Sequence, residues 1–323
     1  MLNCFVPESQ GLSRLEPPPP VIPEHCLWVD LLEPTVEEEQ AVERFLAVEV
    51  PTHEEMREIE TSNRLYEDDG ALYMTATVVA RIDTDRPETA AVTFILARNK
   101  LITKRYHDTL PFRRFIAHVQ RQTGVPSSAA AVLVGLLEAV IQRSADILER
   151  VGADLDETSA GIFAPRRRGN NVSRDMRAVM QRIGRSGDLV SKSRESLVSL
   201  GRFLSFVQQS AALTLAQDLR ARFRTLTRDV TALSDHASFL NTKASFLLEA
   251  TLGLINSEQN DIIKIFSVAA VVFLPPTLIA SIYGMNFHFI PELSWPVGYP
   301  LALLTMVASA ILPYWFFKRR GWL

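Results

Sequence analysis

The chain has 323 residues, 47% of them hydrophobic, and a formal net charge of −3 at pH 7, which allows one large domain or two ordinary ones. Its charge is unevenly distributed, because residues 1–90 contain 20 Asp and Glu against 6 Arg and no Lys. Such a body repels nucleic acid and attracts cations, although a solvated acidic surface is the commoner reason for a charge run. Cys4 and Cys26 form no CxxC pair and give no disulfide framework, which indicates a reducing compartment. The first twenty residues contain no apolar run, so we expect no cleavable signal peptide.

Residues 28–105 alternate strand-like runs with helical ones. The strand-like runs read LWVDLL, ALYMTATVVARI, AVTFILA and LITKRY. Thr35 is placed as a helix N-cap, with Glu38 three positions on to complete a capping box. This pattern predicts an acidic α/β domain over residues 1–125.

Residues 126–260 form a predicted helical region. It is interrupted at APRRRGNN (164–171), whose arginines are expected in a solvated loop between helices rather than in a nucleic-acid patch. The segment GRSGDLVSKS is not a phosphate-binding loop, because the Gly-Lys-Ser/Thr ending is missing. We therefore expect neither a nucleic-acid partner nor an ATP site.

The most informative helix is predicted to run from about residue 216 into an apolar segment. No Pro or Gly occurs between residues 216 and 252, and small or apolar residues recur at alternating spacings of four and three. The members of this seam are Leu219, Phe223, Leu226, Val230, Leu233, Ala237, Leu240, Ala244, Leu247, Thr251 and Leu254. A heptad seam predicts a stalk that packs along a partner helix, either in another copy of the chain or in the preceding helices of the same chain.

Two long uncharged runs lie near the C-terminal end, Ile265 to Tyr283 and Val297 to Phe317. Each is close to the roughly 20 residues that cross a bilayer as a helix, and a buried hairpin in a soluble core is the less favoured alternative. No Lys or Arg lies between them, whereas KRR follows at 318–320. The positive-inside rule then places the C-terminus and the N-terminal body in the cytoplasm, with residues 261–323 as a transmembrane hairpin.

Inside the first span, a row with a period of seven residues contains Asn260, Ser267, Leu274 and Ser281, and Thr277 lies one turn away. Polar side chains are unfavourable against lipid, so the row should face protein or a water-filled path. Several copies that each contribute this helix could surround such a path, with a ring of Leu274 as its constriction. Small-residue packing between two helices explains the spacing equally well.

The segments YGMNF (283–287), PEL (291–293) and GYP (298–300), with the ending KRRGWL, resemble the CorA family of magnesium channels. The likeness is strong over about residues 229–323 and weaker upstream, where WVDLLEPT and RLYEDDG are similar. It implies an α+β membrane protein with a cytoplasmic α/β/α domain, a long stalk helix and two transmembrane helices. It also implies a homopentamer in the bacterial inner membrane, with no enzymatic activity and no cofactor.

The family resemblance implies a passive influx channel for divalent cations, chiefly Mg²⁺ and also Co²⁺ and Ni²⁺. Mg²⁺ dehydrates reluctantly, so neutral amide oxygens that bind its water shell suit a filter at Gly284, Met285 and Asn286. Glu292 in the outer loop would raise the local cation concentration. The expected pore-lining residues are Asn260, Ser267, Leu274, Thr277 and Ser281.

The resemblance also implies that cytoplasmic Mg²⁺ regulates the channel. The family's sensing site corresponds to MREIE (56–60), where Arg57 replaces an expected carboxylate and Glu58 remains. Glu58, with Asp229 and Asp235 on the stalk, is the candidate set for a regulatory divalent site between subunits.

Two departures from the family lie at the outer mouth, where His288 replaces an acidic residue and Ile290 replaces Met. A histidine there raises the alternative of a zinc transporter of the same superfamily, although one imidazole without partners is a poor zinc site. A membrane-anchored enzyme is the alternative from a different class. It lacks support, because residues 53–57 read HEEMR rather than HExxH and no nucleophile motif occurs.

Overall fold

The structure, a computed structural model, describes residues 1–8, 11–19, 21–82, 84, 86–121, 128–164, 176–210, 216–286 and 290–321, but not the side chains of residues 292 and 293. The chain divides into two units, Met1–Leu248 and Glu249–Leu323. The predicted loop at 164–171 lies, apart from Ala164, outside the described residues, as does His288. The three predicted domain boundaries stay predictions.

The first unit contains one mixed sheet. Its strands within the described residues are β1 (Leu2–Glu8), β2 (Gly11–Arg14), β3 (Trp28–Leu32), β4 (Leu65–Asp68), β5 (Ala71–Ala80), β6 (Glu88–Ala97) and β7 (Lys100–Arg105). They lie in the order β2-β1-β3-β7-β6-β5-β4, and only the central pair β3 and β7 is parallel. The four strands that the sequence predicts are confirmed as β3, β5, β6 and β7, whereas β1, β2 and β4 were not expected.

Helices cover both faces of the sheet. On one face α1 (Val36–Leu46) packs Val42 and Leu46 into a core that includes Val29 and Ile102. The capping box predicted for α1 is confirmed, because Thr35 accepts from the Glu38 amide and Glu38 accepts from the Thr35 amide.

The opposite face packs against α3 (Leu110–Val119), α4 (Ala129–Phe163) and α5 (Met176–Gln209). Phe94 of β6 contacts both Phe112 of α3 and Phe203 of α5, with ring centroids 6.3 and 5.4 Å apart. Buried aromatic rings with offset or edge-on geometry add to the stability of such layers. The first unit is therefore an α/β/α sandwich, as expected.

A buried ion pair joins the two parallel strands at the sheet centre. Arg105 donates two hydrogen bonds of 2.9 Å to Asp30, whose carboxylate also accepts from the Thr103 hydroxyl at 2.8 Å. Trp28 donates its indole N–H to the same hydroxyl at 2.9 Å. Because the Arg105 guanidinium, the Asp30 carboxylate, the Thr103 hydroxyl and the Trp28 indole N–H each have a partner, the network favours the β3–β7 register rather than destabilising the core.

The stalk helix α6 spans Gln217–Tyr283. Nine of its seam residues are buried, while Leu233 and Leu254 are half-buried. Close packing comes from the same chain, because a Cβ added at Gly201 of α5 would lie 3.6 Å from Val230, and one added at Gly152 of α4 would lie 3.6 Å from Leu240. Between residues 219 and 247 the seam is thus covered by α4 and α5, and self-association is not needed to bury it.

The second unit contains the end of α6, a 3-10 turn (Pro291–Ser294) and α7 (Gly298–Arg319). Both helices are long and apolar enough to cross a membrane, and their apolar windows are almost wholly exposed, with 6% and 0% of residues buried. A core helix of a soluble protein would be mostly buried. The described fold therefore does not support the buried-hairpin alternative.

Candidate functional site

The turn YGMN (283–286) lies where α6 ends. The Gly284 amide donates to the Ala280 carbonyl at 2.9 Å, and the Met285 amide donates to the Ile282 carbonyl at 3.3 Å. Asn286 follows as an exposed residue outside the helix. The helix end thus presents one amide side chain, with no acidic group in the described residues from 262 to 286.

Gly284 lies close to the backbone of the last turn of α6. A Cβ added at this position would lie 3.1 Å from the Ala280 carbonyl oxygen and 3.6 Å from that of Ser281. The first distance is shorter than ordinary van der Waals contact, so an added methyl group would require the helix end to shift by a few tenths of an ångström. A larger residue would therefore shift the segment that carries Asn286.

The predicted pore-lining row lies on the exposed surface of α6 in the single chain. Asn260, Ser267, Leu274, Thr277 and Ser281 are all exposed, and the exposed fraction of Leu274 is 65%. Residues seven apart lie on nearly the same side of a helix, so the row forms a stripe that the chain itself does not cover. The helix continues through Pro275 and Pro276, and Thr277 donates its hydroxyl to the Phe273 carbonyl at 2.7 Å.

Of the residues discussed at the outer mouth, only some lie within the described part of the chain. Glu292 lies in the 3-10 turn Pro291–Ser294, but its side chain is outside the described set, and His288 is outside it altogether. Ile290 is half-buried. Cation attraction by Glu292 therefore stays a prediction from charge.

The candidate regulatory carboxylates are not brought together within one chain. Glu58 caps a 3-10 turn (Glu55–Arg57) and accepts from the Asn63 side chain at 2.5 Å, while Asp229 and Asp235 lie exposed on α6. Among the described residues, no three His, Cys, Asp or Glu side chains are grouped to hold a metal ion. A divalent site made from these carboxylates would need a second copy of the chain.

One feature of the site region escapes sequence reasoning. Glu58 borders a cavity of about 600 Å³ lined by four arginines, Arg57, Arg64, Arg194 and Arg202. The arginines come from segments some 130 positions apart, which only the fold brings together. The one sequence feature that points to this cavity is Arg57, which stands where the family resemblance leads us to expect an acidic residue.

Comparison with known proteins decides the family. The family model of the CorA-like Mg²⁺ transporter protein matches residues 23–319. The chain belongs to this family. Magnesium transport protein CorA of Pasteurella multocida and that of Escherichia coli strain K12 are each 35% identical to it over 323 residues, with full coverage of both chains.

Solved structures share the fold at lower identity. The CorA magnesium transporter of Methanocaldococcus jannaschii matches with a TM-score of 0.76 and 20% identity, covering 100% of this chain and 99% of its own. The full-length CmaX protein matches with a TM-score of 0.70 and 17% identity, covering 99% and 97%. The ZntB cytoplasmic domain of Vibrio parahaemolyticus matches with 0.55 and 11%, covering 79% and 98%. The predicted CorA-like fold is confirmed, and the protein is a transporter of the CorA family rather than an enzyme.

Proposed function

We propose that this CorA-family Mg²⁺ transporter acts as a passive influx channel whose pore is lined by α6 from several copies of the chain. The observation that carries the proposal is the uncovered stripe from Asn260 to Ser281, which leads directly to Asn286. Exposed polar side chains in an apolar helix are unfavourable against lipid, so a second helix or water must face them. A ring of copies satisfies this requirement, and the family resemblance supports five.

The filter is proposed at Gly284, Met285 and Asn286. Mg²⁺ holds its water shell at about 2.1 Å and releases it slowly, so a ring of Asn286 amide oxygens would bind the waters rather than the ion. Neutral oxygens allow the ion to leave, whereas a ring of carboxylates would hold a divalent cation too tightly. The tight turn at Gly284 sets where these amides lie.

Ion entry needs no coupled energy source under this proposal. A double positive charge gains about 4.6 kcal/mol per 100 mV of inside-negative potential. Glu292 would concentrate cations at the outer mouth, and Leu274 would form the apolar constriction that closes the path. Mg²⁺ is then the principal substrate, and Co²⁺ and Ni²⁺ have hydrated ions that suit the same filter.

The orientation is proposed from flanking charge. Lys318 and Arg319 end α7, and Arg319 stacks on Trp315 with its guanidinium 4.3 Å from the ring centroid. Basic residues at one end of a span favour the cytoplasmic side of the inner membrane, and aromatic residues favour a membrane–water interface on either side. Both termini would then be cytoplasmic.

Thiol labelling tests this orientation. In intact cells, Ser294→Cys is expected to react with an impermeant maleimide, while Thr231→Cys on the exposed stalk surface reacts only after the membrane is opened. The two native cysteines are buried and give little background. If Thr231→Cys is labelled in intact cells and Ser294→Cys is not, the proposed orientation is wrong and the stalk lies outside the cell.

Flux through liposomes tests the filter. Asn286→Ala is expected to abolish Mg²⁺ influx while leaving the oligomer intact by size-exclusion chromatography, because the exposed amide makes no core contact. Ser294→Ala, a small polar change in the same outer segment, is the matched control and should retain influx. Measurements with Mg²⁺, Co²⁺, Ni²⁺ and Zn²⁺ separate the magnesium channel from the zinc alternative. Normal Mg²⁺ influx through Asn286→Ala would refute the filter.

A further inference from the structure

The cavity beside Glu58, called here the arginine cavity, lies entirely within the first unit. It is partly open to solvent and is bordered by α5, by β5 and the start of β6, by Asn241 of α6, and by the short helix α2 (Thr61–Arg64) with the turn that precedes it. Its charged lining consists of Arg57, Arg64, Arg194, Arg202, Glu58 and Glu195. Positive charge is in excess, in a part of the chain whose sequence is otherwise acidic.

Arg64 is the most deeply placed of the four arginines. One terminal nitrogen donates to the Thr77 hydroxyl at 2.8 Å, but the Nε–H is buried and has no hydrogen-bond acceptor among the described residues. A buried donor of a charged group without an acceptor is unfavourable, because it loses its hydrogen bond to water and gains none in the protein. The structure thus leaves an acceptor position at Arg64 unfilled.

The charge of Arg64 is also incompletely balanced. Burial lowers the pKa of its guanidinium, Glu195 opposes this effect, and the nearby positive charge of Arg202 adds to it. Glu58 is engaged elsewhere, since its carboxylate accepts from Asn63 at 2.5 Å. An added negative charge in the cavity would therefore stabilise the folded chain.

Several neutral polar groups in and beside the cavity already have hydrogen-bond partners. The Thr75 and Thr93 hydroxyls are 2.8 Å apart, and the Ser199 hydroxyl accepts from the Thr77 amide at 2.9 Å. Within the described residues, Arg202 donates one long hydrogen bond of 3.5 Å, to the Thr61 hydroxyl. The unfilled donors of the cavity include the buried Arg64 Nε–H, and guanidinium donors match anionic oxygen acceptors.

We propose that the arginine cavity is a binding site for a small anion that carries two or more phosphate groups. Planar guanidinium groups bind phosphate oxygens in a bidentate manner, and four of them supply more donors than one carboxylate could accept. The volume of about 600 Å³ lies within the roughly 300–1,000 Å³ of small-molecule sites. A neighbouring open depression of about 530 Å³ shares Arg202 and extends along α5, which gives room for a longer ligand. This proposal does not rest on the transport mechanism.

Isothermal titration calorimetry of the full-length protein in detergent tests the site. Pyrophosphate and ATP are used as probes, with EDTA present and ionic strength held constant by potassium chloride. We expect saturable binding of both probes, with adenosine giving none. Arg64→Gln and Arg202→Gln are each expected to weaken binding at least about tenfold, as loss of a charge-assisted bidentate contact implies.

Arg185→Gln is the matched control, because Arg185 is an exposed arginine of α5 that does not line the cavity. It should bind like the parent protein. Arg202 is exposed, so its variant decides the question if Arg64→Gln does not fold, as judged by thermal melting. Absence of saturable binding by the parent, or equal weakening in Arg185→Gln, overturns the proposal. Binding that appears only after the oligomer dissociates also overturns it, since acidic side chains of a second copy would then fill the cavity.

Discussion

At the scale of single residues, the proposed filter depends on a glycine that touches no ion. At Gly284, where the chain leaves α6, an added Cβ would lie 3.1 Å from the Ala280 carbonyl oxygen. The position of the Asn286 amide follows from this turn. A binding group displaced by about 1 Å loses much of its effect, so backbone geometry here is part of the ion site.

Gly284→Ala is expected to reduce Mg²⁺ influx in liposomes at least about tenfold while the oligomer still assembles. The added methyl group forces the helix end to bend away from the Ala280 carbonyl, which displaces Asn286. Gly253→Ala is the control, because a Cβ at that helical position meets nothing within 4 Å in the chain. Equal influx through both variants would mean that the turn does not position the filter.

The sequence predicts exposed polar residues better than buried ones. Asn286 and the stripe of α6 are noticed because polar residues interrupt an apolar run. The Asp30–Arg105 pair is not noticed, since each partner lies in a strand-like run that any half-buried sheet could contain. The two residues are 75 positions apart, and only the parallel pairing of β3 with β7 brings them together.

At the scale of elements, sequence patterns predict those features that depend on residues close together in the chain. The capping box of α1 and the stalk seam follow from spacings of three, four and seven residues. The hairpin of β1 and β2 was missed because its strands are short and β1 is held by pairing with β3 rather than by its own pattern. The seam of α6 likewise did not identify its partner, since α4, α5 or another copy of the chain would satisfy the same heptads.

The uncovered stripe of α6 contains one large apolar residue that makes a specific test. Leu274→Asn is expected to raise Mg²⁺ influx severalfold at high cytoplasmic Mg²⁺, because a polar ring would hydrate a constriction that leucine keeps dry. Each 1.4 kcal/mol removed from a barrier raises a rate about tenfold. Fluorescent Mg²⁺ indicators inside liposomes measure this leak.

Val272→Asn is the matched control for that experiment. Val272 is two positions away and lies on nearly the opposite side of the helix, so it changes the polarity of the same turn without facing the proposed path. A leak of the same size in Val272→Asn would indicate general loosening of the helix. An unchanged closed state in Leu274→Asn would exclude this residue as the gate.

At the scale of the whole molecule, one chain is insufficient for either proposed ion site. The stripe of α6 needs other copies to enclose a path, and Glu58, Asp229 and Asp235 do not meet in one subunit. Interfaces between copies are where exposed carboxylates can share a divalent cation. Mg²⁺ bound there would link neighbouring stalks, and its loss would leave like charges facing each other.

This arrangement predicts graded inhibition by cytoplasmic Mg²⁺. A ligand shifts a conformational equilibrium only by its difference in affinity for the two states, so weak carboxylate sites should act over the millimolar range. In patch recordings, Glu58→Ala combined with Asp229→Ala and Asp235→Ala is expected to raise the half-inhibiting Mg²⁺ concentration at least about tenfold while conduction persists.

Arg57→Glu, which adds a carboxylate beside Glu58, is expected to lower the half-inhibiting Mg²⁺ concentration. Arg44→Glu, a charge reversal of the same kind on the exposed side of α1, serves as the control and should leave the curve in place. An inhibition curve that the triple variant does not move would exclude these carboxylates as the Mg²⁺ ligands, and the acidic surface would then serve solubility alone.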